Sequence, residues 1–192
     1  MHRLLAVVLC VFLAACSSSM KEYQAALDNP TPPEDFWLSV TVLGPARSAG
    51  YADLPRAERP GRYVIEADRI LRASQGPGAS EDAFPPQLRA LSDEQWCRVW
   101  DTIRSTGIAR EPGKLSISMA PRLEQAPEQT VIIISYSAEG VRRAIAVNLT
   151  ADEGAKPGTA AAAEAEKADA KKIVDVLADL SWIHERVEAA SN

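Results

Sequence analysis

Histidine and cysteine are scarce in this chain of 192 residues, and their scarcity limits the chemistry that it can carry out. The chain has two histidines, His2 and His184, and three cysteines, Cys10, Cys16 and Cys97. A zinc site built from these residue types needs three or four ligands close together, and most hydrolytic triads need a histidine base. We therefore predict that the protein is not an enzyme and that it holds no metal and no cofactor.

Long apolar runs and an excess of positive charge are also missing. The apolar run Leu4–Leu13 is well below the roughly 20 residues that a transmembrane helix needs. The formal net charge is −5, whereas proteins that bind nucleic acids carry clustered basic residues. We therefore exclude nucleic acid as a partner. The length suits a single domain with its own core.

The apolar run ends in the letters LAAC, which close at Cys16 and resemble the lipobox of bacterial lipoproteins. A positively charged start precedes the run, and small residues precede the cysteine, as in cleaved signal peptides. The resemblance implies that a signal peptidase removes residues 1–15 and that Cys16 becomes lipidated. Acyl chains anchor a protein firmly, because each buried methylene contributes about 0.8 kcal/mol. Two alternatives stay open: an uncleaved membrane anchor and an ordinary secretory signal cut near Ala15.

The residues after the lipobox predict where the protein is held. Residues 16–33 start with a run of serines and end in the letters NPTPP, which cannot continue a helix, so we predict a lipid-anchored tether. Ser17 stands where enterobacterial lipoproteins of the inner membrane carry Asp. The resemblance therefore favours the outer membrane, facing the periplasm, over the inner membrane. Cleavage leaves Cys97 as the one ordinary cysteine, which excludes an internal disulfide.

Apolar residues recur with a period of two near residues 36–43 and 141–149, which indicates β-strands, and the letters VIII at 131–134 are apolar on both faces, as in a central strand. The predicted strands are Phe36–Leu43, Tyr63–Glu66, Ile70–Ala73, Lys114–Met119, Thr130–Ser137 and Val141–Leu149. Asp68 and the Glu139-Gly140 pair mark tight turns. The segments 44–61 and 75–89 are rich in proline and glycine and are predicted to be loops.

Two segments predict amphipathic helices. The first begins with the letters SDEQ, a capping box in which Ser92 and Gln95 satisfy each other's free amides. Its apolar face carries Trp96, Val99, Trp100 and Ile103, and Gly107 is predicted to end it in a left-handed conformation. The second helix carries an apolar stripe of Ile173, Val176, Leu177, Leu180, Ile183 and Val187, beside His184. Residues 160–170 have little to bury and are either a solvated helical extension or disordered.

These elements predict an α+β fold, with an antiparallel β-sheet of about five to six strands and two amphipathic helices packed on one face. We assign residues 34–150 to the sheet and first helix, 151–163 to a linker, and 164–192 to a C-terminal helix that docks on the same domain.

A non-enzymatic envelope protein is the function that this inventory favours. It would bind a partner protein or an envelope component through its proline- and glycine-rich loops and neighbouring cations. The residues of the predicted interaction surface are Arg47, Tyr51, Arg72, Phe84, Arg142 and Arg143.

The competing hypothesis is a hydrolase that uses the carboxylates of Glu66 and Asp68, since paired carboxylates can act as acid and base. Cys97 lies beside the stripe that carries Trp96 and Trp100, where a small apolar thiol packs well, and we assign it no reactivity.

Two resemblances extend these predictions. The segment PGRYVIEAD at 60–68, with LRAS at 71–74 and FPP at 84–86, resembles small lipoproteins of planctomycete-type bacteria, and this resemblance implies no activity. The order of hairpin, capped helix, hairpin and helix resembles emfourin-type protease inhibitors. That second resemblance implies, as an alternative function, inhibition of a secreted protease, although element order alone does not transfer function.

Overall fold

The computed structural model describes residues 20–44, 53–76, 79, 83–110, 129–150 and 157–181. Several predicted features lie outside these residues. They are the signal peptide with Cys16, the strand 114–119, the surface residues Arg47 and Tyr51, and His184.

Helices and hairpins follow one another along the chain. Residues 20–28 form helix α1. The other elements are β1 (Trp37–Leu43), a 3-10 helix (Arg56–Glu58), β2 (Gly61–Ile65), β3 (Ile70–Gln75), β4 (Gln87–Ala90), α2 (Asp93–Arg104), α3 (Gly107–Arg110), β5 (Val131–Ala138), β6 (Val141–Asn148) and α4 (Pro157–Ser181).

The six strands form one antiparallel sheet in the order β4-β3-β2-β1-β5-β6. The predicted α+β class, with its antiparallel sheet, is therefore confirmed. Every neighbouring pair is antiparallel, and β1 lies at the centre between β2 and β5. The strand β4 falls in a segment predicted to be a loop, since its four residues are too few to show a clear alternation.

The hydrophobic core lies between one face of the sheet and the helices. Alternate residues of β1 point into it, namely Leu38, Val40 and Val42, and all three are essentially inaccessible to solvent. The rings of Trp96 and Trp100 on α2 each lie 4.9 Å from the ring of Phe36, centroid to centroid. The tryptophans therefore form part of the core, as large apolar side chains on an amphipathic helix normally do.

Helix α2 begins as its sequence predicts. The Ser92 side chain accepts from the backbone amide of Gln95, and the Gln95 side chain accepts from the amide of Ser92 at 3.0 Å, so the capping box is confirmed. The predicted end is wrong. Ser105 caps the helix, and Gly107 instead begins α3, where its amide donates to a carboxylate oxygen of Asp169 at 2.8 Å.

Helix α1 corrects the prediction that the tether extends to residue 33. Tyr23 and Leu27 lie on one face of this helix and are buried with the core, at 0% and 1% exposure. The Tyr23 hydroxyl also bonds to the backbone oxygen of Ala109 at 2.8 Å. The chain was predicted to be a spacer because it is polar overall, but its few apolar residues recur at helical spacing. The domain thus includes residues 20–28.

Helix α4 begins at Pro157, inside the predicted linker 151–163. It continues through residues 160–170, which were predicted to be either a helical extension or disordered. Its buried positions start at Ala170 and include Ile173 and Leu177, so the second half of the helix packs on the sheet. Among the residues that the structure describes, no helix combines the length and the apolar character needed to cross a membrane.

Candidate functional site

The face of the sheet opposite the helices carries a shallow concavity of about 580 Å³. Ser39 of β1 lies in register between Val64 of β2 and Ser135 of β5, and these three residues line its floor. Trp37 and Arg62 contribute its larger side chains. Since the described helices pack on the other face, this face is the broad surface that they leave for contacts with other molecules.

Arg72 and Phe84, two residues of the predicted interaction surface, lie together near the β3 end of this face. The guanidinium carbon of Arg72 lies 5.6 Å from the centroid of the Phe84 ring, which is a cation–π distance. Phe84 is 62% exposed, whereas the Arg72 side chain is only 15% exposed. Phe84 is therefore the more accessible apolar contact of the two.

Glu66 and Asp68, the two carboxylates of the hydrolase hypothesis, both form ion pairs with Arg72. Its guanidinium is 3.2 Å from Glu66 and 2.9 Å from Asp68. Hydrogen bonds from Arg72, assisted by one from the Ile70 amide, lower the pKa of Asp68. A general acid needs a raised pKa, so this arrangement suits a hairpin turn held by charge pairs better than catalysis. Within the described residues, no group of three or more His, Cys, Asp or Glu is placed to hold a metal ion.

Arg142 and Arg143 lie on opposite faces of β6. Arg142 is paired with Ser137 on the open face, and it is separated from Arg72 by four strand spacings, about 19 Å. Arg143 is paired with Tyr136 on the helix side, where its guanidinium carbon lies 5.3 Å from the Tyr23 ring centroid. The described members of the predicted interaction surface therefore do not form one patch.

The hairpin turn between β5 and β6 fixes the position of β6. Glu139 and Gly140 have φ angles of 50° and 69°, the two positive values that a type I′ turn requires. The carboxylate of Asp35, just before β1, accepts hydrogen bonds from both turn amides, at 2.8 Å and 2.7 Å. The turn is therefore tied to the start of the central strand.

Alternate backbone groups of β6 point away from β5, its one described neighbour in the sheet. In a two-residue hairpin the residues that flank the turn are hydrogen-bonded to each other, so Val141 bonds to β5 and every second residue after it does the same. The Leu149 amide donates to the Thr130 carbonyl oxygen at 2.8 Å, as this alternation requires of a residue eight positions after Val141. The amides and carbonyls of Arg142, Ala144 and Ala146 therefore point away from β5, where no described strand pairs with them.

The two edges of the sheet differ in how they are protected. Strand β4 is four residues long, follows Pro85 and Pro86, and pairs with β3 through a register shift at Leu71 and Arg72. Short length, proline and bulges all hinder the addition of another strand. Strand β6 is eight residues long, pairs with β5 without a shift, and carries charge only at the two arginines beside its turn. It is the sheet edge at which none of these protections is present, and no described strand other than β5 pairs with it.

Comparison of the chain with protein-family models, with curated proteins and with solved structures gave no match. What the protein does must therefore be inferred from its own geometry.

Proposed function

We propose that this protein is a non-enzymatic, lipid-anchored envelope protein that binds a partner protein by adding an extended segment of that partner to the edge of β6. The carrying observation is the row of outward backbone groups on Arg142, Ala144 and Ala146. When a strand is added to a sheet edge, main-chain hydrogen bonds supply affinity and alternate side chains supply specificity.

The side chains of β6 indicate what kind of segment would fit. On the open face an added strand would place alternate side chains next to Arg142, Ala144 and Ala146, at cross-strand distances of about 4.5–5.5 Å. The two alanines leave room for larger apolar side chains, and the exposed guanidinium of Arg142 favours a carboxylate opposite it. We therefore expect a partner segment with an acidic residue followed by apolar residues at alternate positions.

The lipobox supports attachment at Cys16, and the packing of α1 shortens the tether. Only residues 17–19 separate Cys16 from the first described helical residue. Four extended steps span at most about 14 Å, so a lipid on Cys16 would hold the domain against the membrane surface. We place that surface at the outer membrane, facing the periplasm. Replacing Cys16 by serine should release the protein from membranes, and unchanged retention would contradict lipidation.

Crosslinking from the edge of β6 tests the binding mode. A photoreactive residue at Ala146 of the full chain, expressed in its native membranes, should form a discrete crosslinked product, and one at Glu94 on the exposed side of α2 should not. Ala144→Pro should abolish the product, because proline removes an outward amide that the β5 ladder does not use. The unfolding midpoint checks that the variant is folded.

The same experiment distinguishes the alternatives. Equal crosslinking from both positions, or a product that persists in Ala144→Pro, would refute strand addition at β6. A product of twice the chain's mass containing only this protein would show that β6 pairs with a second copy and would overturn the assignment to a partner protein. A protease in the product, inhibited stoichiometrically by the purified chain, would identify the partner class as that of the emfourin-like alternative.

A further inference from the structure

A second cavity, of about 110 Å³, lies on the helix side of the sheet, between β6, the start of α3 and the first half of α4. Ile108 and Ile145 form apolar walls, and the exposed Ala162 forms part of the rim. This volume is several times the roughly 10–15 Å³ that one buried water molecule needs, so the cavity can hold a small organic molecule. Ala144, one of the outward residues of the β6 edge described above, also lines this cavity, so the two sites adjoin at β6.

One wall of the cavity carries a positive charge. Arg143 reaches it from β6, and its Nε is buried without a hydrogen-bond partner in the described part of the chain. No ion pair between Arg143 and a carboxylate forms among those same residues. Its recorded partner is Tyr23, through the ring face and through a hydrogen bond to the hydroxyl. A guanidinium in this state can bind a carboxylate with two parallel hydrogen bonds.

A neutral hydroxyl pair lies beside Arg143. Tyr23 donates its single proton to the Ala109 carbonyl, so the 2.8 Å contact between the two hydroxyls requires Tyr136 to donate to Tyr23. Burial raises the pKa of both tyrosines, so neither introduces a negative charge that would compete for Arg143. Tyr136 is among the residues that line the cavity, and its hydroxyl oxygen keeps a lone pair that can accept a hydrogen bond.

The opposite wall is acidic. Glu166 and Asp169 lie three residues apart on α4 and therefore share one helical face towards the cavity. One oxygen of Asp169 is fixed by the Gly107 amide at 2.8 Å, which leaves its other oxygen available. Glu166 has no ion pair among the residues described. Two carboxylates facing a cavity can bind an ammonium group.

We propose that this cavity binds a small α-amino acid as its zwitterion, with the ligand carboxylate on Arg143, the ammonium group on Glu166 and Asp169, and a short side chain against Ile108 and Ile145. Opposite charges on opposite walls fit a molecule that carries both charges on one carbon better than a simple anion or cation. The apolar walls and the small volume restrict the side chain to a few atoms.

Calorimetric titration of the full chain in detergent tests this proposal, with glycine, L-alanine, D-alanine and L-serine as ligands. At least one should bind saturably, and propionate and ethylamine, which each carry one of the two charges, should bind at least about tenfold more weakly. Arg143→Gln and Glu166→Gln should each weaken binding about tenfold or more, because each removes a charged partner. Arg98→Gln, at an arginine of α2 that does not line the cavity, should leave affinity unchanged.

A second variant, which fills the cavity, keeps the proposal testable if Arg143→Gln does not fold. Ala162→Leu changes an exposed helical position and should block the cavity without lowering the unfolding midpoint. Absence of saturable binding for all four amino acids would overturn the proposal. Propionate binding as tight as that of the amino acids, or amino-acid binding unaffected by both Glu166→Gln and Ala162→Leu, would overturn it equally.

Discussion

Replacing Tyr23 by phenylalanine tests whether α1 belongs to the folded domain. The Tyr23 side chain is fully buried, and its hydroxyl joins α1 to α3 and to β5 through the Ala109 carbonyl and the Tyr136 hydroxyl, each at 2.8 Å. The substitution removes one oxygen and keeps the ring, so the change in unfolding free energy reports on these two hydrogen bonds rather than on apolar burial.

The expected magnitude follows from what the substitution leaves unpaired. Tyr23→Phe leaves both the Ala109 carbonyl and the Tyr136 hydroxyl buried without this partner, at about 1–3 kcal/mol each, so we expect a loss of about 2–6 kcal/mol. Tyr136→Phe removes only the bond that it donates, because Tyr23 can still donate to Ala109, and should cost about 1 kcal/mol. Tyr63 supplies the matched control. Its buried hydroxyl has no hydrogen-bond partner among the described residues, so Tyr63→Phe should be neutral or slightly stabilising.

Urea unfolding of the full chain in detergent, followed by tryptophan fluorescence, measures all three variants. With equal m-values the order of destabilisation should be Tyr23, then Tyr136, then Tyr63. A Tyr23→Phe variant as stable as the original chain would show that α1 does not dock as described. A Tyr136→Phe variant that costs more than Tyr23→Phe would show that the proton between the two hydroxyls is oriented the other way.

Two further predictions concern the turn and the buried tyrosines. Asp35→Ala should lower the free energy of unfolding by about 1 kcal/mol, because the turn amides of Glu139 and Gly140 lose a charged acceptor, and unchanged urea unfolding would show that these bonds contribute nothing. Burial raises the pKa of Tyr63 to about 12 from 10.0, so its contribution to stability is complete below pH 10 and is lost as the pH rises through 12. Urea unfolding at successive pH values checks this, with the tyrosinate absorbance that Tyr63→Phe removes as a second signal. Ionisation of Tyr63 at pH 10 in the folded chain would contradict it.

Local patterns in the sequence predicted most of the regular elements. Period-two alternation found β1 and β6, an apolar run found β5, and the turn residue Asp68 marked the first hairpin. The capping box placed the first residue of α2, because all these signals depend on residues that are near one another in the chain. Helix α1 and strand β4 were missed. The first buries few large residues after a segment that resembles a signal peptide, and the second is too short to show a period.

The candidate site was harder to predict, because it depends on strand order. The sequence predicts a strand from Val141 onward, yet nothing in that strand alone shows that β6 lies at an edge or which of its amides point outward. Likewise, Arg72 and Arg142 project on the same face, but only the sheet order shows that about 19 Å separates them. The contact between Arg72 and Phe84 spans a loop whose course local periodicity does not determine.

Amide hydrogen exchange along β6 tests strand addition most directly. In the purified full chain, the amides of Arg142, Ala144 and Ala146 should exchange rapidly and those of Arg143 and Ile145 slowly, because only the second group bonds to β5. In the complex purified with the crosslinked partner, the first group should become slow as well. Outward amides that are already protected in the free chain, or that still exchange rapidly in the complex, would contradict binding at the β6 edge.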